Sequence, residues 1–94
     1  MSLYADMYEW LESAEGGCKG AQYNIAIAFK VGFPGWPKSK KKAFRWFHMA
    51  ATSGSVEAMY ELVKCYSRGL GVEKNPELVE LWNQRIKMNC ESGV

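Results

Sequence analysis

The chain has 94 residues, 48% hydrophobic and 14% aromatic, which fits one domain and is too apolar for a disordered tail. No apolar run reaches the roughly 18 residues that a membrane-crossing helix needs, and Met1 to Leu11 carries Asp6 and Glu9 without a basic or apolar leader region. The net charge of +2 is too small to indicate a nucleic-acid or membrane partner, but residues 20–55 sum to +6 without one acid, between segments of −3 (1–19) and −1 (56–94).

Taken in chain order, the first predicted helix covers 3–14, with Met7, Trp10, Leu11 and Ala14 along one side, and Gly17 marks the turn after it. The second covers 19–31. Its apolar stripe is Ala21, Ile25, Ala28 and Phe29, at the spacing of a 3.6-residue period. Gly32 closes it, as a left-handed C-terminal glycine does. Ser39 is placed to cap a third helix over 39–52, whose stripe is Ala43, Trp46, Phe47, Ala50 and Ala51. Trp46 is therefore expected in the core. After a turn at Gly54, the fourth helix, 55–68, repeats the second, with Ala58, Leu62, Cys65 and Tyr66 as its stripe and Gly69 as its stop. Asn75 as cap and Pro76 at the first helical position open a fifth, 76–90, with Val79, Trp82 and Ile86 inward. Nothing alternates with a period of two, so no strand is expected.

These helices are copies of one another. Trp10, Trp46 and Trp82 recur every 36 residues, while Ala21/Ala58, Tyr23/Tyr60, Phe29/Tyr66 and Gly32/Gly69 recur at 37. A one-residue difference in loop length reconciles the two periods. A helical hairpin that repeats in this way leaves apolar flank for the next to cover. The expected fold is all-α, a short right-handed α-solenoid of stacked antiparallel hairpins with five helices in about two and a half repeats. Residues 1–18 form a half repeat, 19–55 repeat one, and 56–94 repeat two with a C-terminal cap, Lys87 supplying a polar outer face.

The motif A-x-x-x-[L/I]-[G/A]-x-x-[Y/F]-x-x-G, a Gly-rich loop, then K-A-x-x-W-x-x-x-A-A-x-x-G resembles the Sel-one-like repeat, a relative of the tetratricopeptide repeat. Gly20 to Ile25 and Lys42 to Gly54 match it in one copy; Ala58 to Gly69, Leu70 to Val72 and Trp82 match it in the next. Two positions depart from it: the glycine after the first-helix leucine is Ala26 or Val63, and the second Ala-Ala becomes Ile86-Lys87. The resemblance implies a scaffold or adaptor that binds other proteins. Secreted members that bridge adjacent helices carry a cysteine where this chain has Ala51, so that pairing does not transfer.

Catalytic machinery is not expected. Asp6 is the only aspartate and His48 the only histidine, so neither a catalytic triad nor a two-histidine metal site assembles. Ser39 to Lys42 reads S-x-x-K without the companion motifs of that chemistry, and Ser39 already has a capping role. Cys18, Cys65 and Cys90 match no zinc spacing and read as free thiols in a reducing, cytoplasmic setting, or a periplasmic one if a leader has been removed. Cys65 is expected in the core and Cys18 at a helix start. No cofactor or metal is expected.

In tetratricopeptide-like folds the first helix of each hairpin lines the concave face. The positions that the stripes leave free are Tyr23, Ile27 and Lys30 in one unit and Tyr60, Lys64, Ser67 and Arg68 in the next. Paired tyrosines with cations suit a peptide or protein segment of acidic character. Two alternatives remain. The first is a fragment of a longer solenoid that self-associates, as a homodimer, through an open end presenting Leu3, Tyr4, Met7 and Tyr8. The second, less favoured, is nucleic-acid binding by Lys38, Lys40, Lys41, Lys42 and Arg45 beside Trp36 and Trp46.

Overall fold

A computed structural model describes residues 18–92. Four α-helices follow one another: α1 (Lys19–Val31), α2 (Lys40–Thr52), α3 (Val56–Arg68) and α4 (Pro76–Ser92). The expected helix over 3–14, with its half repeat, lies outside the described residues. Ser39 and Ser55 stand one residue before their helices because they are caps. Each turns extended, and its hydroxyl accepts a hydrogen bond from a backbone N–H, Lys42 for Ser39 and Ala58 for Ser55, at 3.2 Å in both cases. Asn75 does the same for α4, its Oδ1 accepting from the Leu78 N–H at 3.2 Å. Cys18 holds the cap position of α1 but makes no side-chain cap bond.

The repeat extends to individual backbone hydrogen bonds. Gly32 and Gly69 take φ of 80° and 72°, and their N–H groups donate to Ala28 and Cys65 carbonyls at 2.9 and 2.8 Å. The chain then turns back, and the N–H of the next cap residue donates to the end of the helix it has left. Ser39 reaches the Phe29 carbonyl and Asn75 the Tyr66 carbonyl, both at 3.0 Å. The same lock closes both hairpins.

Packing is sequential, α1 on α2, α2 on α3 and α3 on α4, as in a solenoid. One core cluster runs through the stack, with Ala26, Phe47, Ala50, Ala58, Leu62 and Trp82 among its members. Alanines let the helices approach, and Phe47, Leu62 and Trp82 fill what is left. A smaller cluster of Ala21, Ile25, Ala28 and Trp36 lies beside it, with Phe29 and Trp46 half-buried against it.

Trp46 differs from expectation, and Trp36 takes a position that periodicity does not give. Trp46 is only half-buried, and Phe47 beside it is the side chain sealed at 1% exposure. The α2 stripe is wide: Phe47 sits at its centre with Ala43 and Ala50, and Trp46 covers its edge. Trp36, which the less-favoured nucleic-acid alternative set beside the lysines, is 4% exposed and meets Phe29 edge-on at 4.9 Å. The loop folds it back over α1. On α4, Val79, Trp82 and Ile86 turn inward as expected, while Asn83 and Lys87 are exposed where α2 buries Phe47 and Ala51.

Candidate functional site

The first helices of the two hairpins, α1 and α3, are tied by charge. Lys30 Nζ on α1 donates to Glu61 Oε2 on α3 at 3.1 Å, and Lys64 Nζ lies 3.5 Å from Glu61 Oε1. Glu61 is the shielded member, its side chain 13% exposed against 47% and 52% for the lysines. It therefore anchors both cations, one from α1 and one from its own helix α3.

The seven residues expected to face a partner divide into two groups. Tyr23 and Ile27 are half-buried against the core, Tyr23 with its ring 5.8 Å from that of Phe47. Their contribution to a partner surface is partial. Lys30, Tyr60, Lys64, Ser67 and Arg68 are exposed, Tyr60 at 51%. Tyr60, Lys64, Ser67 and Arg68 share one side of α3 by helical spacing. Sequence reasoning missed Glu61. Its i,i+3 spacing to Lys64 is visible in the sequence, but its pairing with Lys30 spans 31 residues and appears only once the hairpins stack.

A hollow of about 210 Å³ continues this surface, with Lys30, Glu61, Lys38 and Lys40 around Phe47, Cys65 and Leu70. Cys65 is buried, as expected, and its thiol pKa is pushed from 9.0 up to about 11. Burial is the main cause and the Glu61 charge adds to it, with Lys30 partly offsetting both. Cys65 is an inert thiol. Cys18 is exposed and, like Cys65, unbridged.

The basic cluster is divided among several tasks. Ser39 caps α2, Lys42 lies over the Phe29 ring at 5.5 Å, and Trp36 is inside. One of the rings that the nucleic-acid alternative would need beside the lysines is thus withdrawn from solvent. His48 is exposed between the rings of Phe44 and Trp82, at 6.1 and 6.0 Å. Among the described residues no three metal-ligating side chains converge, and no helix is long and apolar enough to cross a membrane. Leu3, Tyr4, Met7 and Tyr8, and the Cys90 side chain, lie outside what is described.

A family model for the Sel1 repeat matches residues 20–55 and again 56–78. The boundary between the matches falls where Ser55 caps α3. A solved structure, the Sel1 repeat protein from Oxalobacter formigenes, is similar to this chain with a TM-score of 0.83 and 25% identity, over 88% of this chain and 34% of that one. This chain therefore spans about a third of that protein's length. Two consecutive family matches, the hairpin lock repeated at Phe29/Ser39 and Tyr66/Asn75, and the shared fold lead to one conclusion: the chain belongs to the Sel1 repeat family.

Proposed function

We propose that the chain is a non-enzymatic adaptor that takes a peptide or protein segment of acidic character along α1 and α3, in the concave groove. Sel1 repeats are generally protein–protein interaction modules and typically non-enzymatic scaffolds, which supplies the class of activity. The observation that carries the finer reading is Tyr60. A lone exposed apolar residue is ordinary, but Tyr60 shares its side of α3 with Lys64 and Arg68, next to the Lys30–Glu61 pair. A half-exposed phenol ring offers large area at low entropy cost. Three cations against one carboxylate leave the surface positive, which favours an acidic segment.

The test uses a partner isolated from the native host with the intact chain, followed by calorimetric titration. Tyr60→Ala with Arg68→Ala changes only exposed side chains, so the fold persists. This pair should weaken binding by about 2 kcal/mol. Charge reversal at Lys38, Lys40, Lys41 and Lys42 should mainly slow association and alter its salt dependence. If the lysine reversal abolishes binding and the groove pair leaves it intact, the reading is wrong.

A further inference from the structure

A larger recess lies between α2 and the loop that opens the second half of the next hairpin, and it shares no residue with the groove. We propose that this cleft is a second docking site, for a peptide that seats an aromatic or branched apolar side chain between flanking carboxylates. The cleft measures about 810 Å³, within the range of pockets that enclose several side chains' worth of ligand.

The walls are fixed by the backbone. Gly71 takes φ of 73°, and its Cα passes so close to the Lys40 carbonyl that a Cβ there would overlap it. Glycine alone lets the loop cross the start of α2 at that point. At the loop's other end the Asn75 N–H is held by the Tyr66 carbonyl at 3.0 Å while its side chain caps α4. A recess with both ends tied in this way is formed before anything binds, which lowers the ordering cost of binding.

The floor is apolar and the rim is cationic. Tyr66 meets Phe44 edge-on, centroids 5.4 Å apart at 83°, and Leu78 and Val72 extend that floor. Lys41, Arg45 and Lys74 stand around it against a single acid, Glu73. The described salt bridges all belong to Glu61 in the groove, so none of these three cations has an ion-pair partner among the described residues. Unpaired positive charge around an apolar floor is complementary to acidic residues flanking an apolar one. A nucleic acid is the poorer occupant. Base stacking needs a free ring face, whereas Tyr66 is buried and Phe44 is half-buried against it.

The experiment follows backbone amide signals of the isotope-labelled chain during titration with acetyl-Asp-Glu-Phe-Glu-Asp-amide. The expected result is saturable shifts at Phe44, His48 and Leu78, with a Kd on the order of 1 mM or tighter. Arg45→Ala with Lys74→Ala should weaken this by about tenfold, and replacing the peptide's Phe by Ser should do the same. Lys64→Ala with Arg68→Ala, in the groove, should change nothing. All four substitutions are at exposed positions, and thermal melts confirm that the variants fold. Shifts at Tyr60 with none at Phe44, His48 and Leu78, indifference of the cleft shifts to the cleft variant, or no saturable binding would each overturn the proposal. So would a short oligothymidylate that displaces the peptide and binds the same amides more tightly.

Discussion

Lys30 and Glu61, 31 residues apart in sequence, form a 3.1 Å ion pair between the first helices of two successive repeats. The pair is asymmetric, a shielded carboxylate serving an exposed ammonium and sharing itself with Lys64 at 3.5 Å. Removing Glu61 leaves two cations facing one another without their common partner. Because both lysines are about half in water, the effect on stability is modest. Glu61→Ala should lower it by about 1 kcal/mol or less, and high salt should shrink the difference. A double-mutant cycle with Lys30→Ala should return a coupling of about 0.5 kcal/mol by chemical denaturation. No coupling at low salt would mean the tie between α1 and α3 is not made in solution.

Core substitutions should rank by the burial seen around α2. Phe47 is sealed at 1% exposure among Ala43, Ala50 and Ala51, so Phe47→Ala should cost about 3–5 kcal/mol and unfold a small domain of ordinary stability. Trp46 is half-buried at the edge of the same stripe, and Trp46→Ala should cost about 1–2 kcal/mol. Urea melts of the two variants decide the order. A reversed ranking would contradict the register of α2.

The glycines separate by what surrounds them. Gly71→Ala forces a positive φ on alanine and drives its Cβ into the Lys40 carbonyl, which should cost about 2 kcal/mol or more. Gly20 lies in α1 with nothing within 4 Å of the point a Cβ would occupy. Gly20→Ala should stabilise by about 0.5 kcal/mol through helix propensity and a less disordered unfolded chain. Thermal unfolding of both variants checks the signs.

The thiols should differ in reactivity. Cys18, exposed, should alkylate in the native protein, and Cys65 only after unfolding, as read by intact mass. Cys65 also makes stability fall in alkali. Its folded pKa of about 11 lies above the usual 9.0, so the folded state holds its proton longer than the unfolded one. The stability tied to this group is complete below pH 9 and is lost as pH rises towards 11. Cys65→Ala should remove that part of the alkaline decline.

Local signals make much of this architecture legible. Cap residues Ser39 and Asn75, stop glycines Gly32 and Gly69, and the 3.6-residue stripes each act within one turn, so the four described helices begin and end within two residues of expectation. The proposed groove rests in the sequence only on an offset from those stripes. What periodicity does not supply is contact between repeats. Tyr23 and Tyr60 are equivalent in sequence, yet Tyr23 packs towards Phe47 on α2, whereas α4 carries the exposed Asn83 at the matching position and Tyr60 stays 51% exposed. Trp36 escapes a sequence reading for a related reason. Its burial depends on the path of the Gly32–Ser39 loop, held by the Ser39 to Phe29 bond rather than by any helical pattern.

Whether the α1–α3 surface receives a protein segment can be read with a photo-crosslinking residue at Tyr60, compared with the same residue at Gln84 on the exposed side of α4. Irradiation in the native host, followed by mass analysis of the adducts, reads which surface is occupied. One discrete adduct is expected from position 60, lost when Arg68→Glu is added, and none from position 84. No discrete adduct from position 60, or the same adduct from both positions, would contradict it.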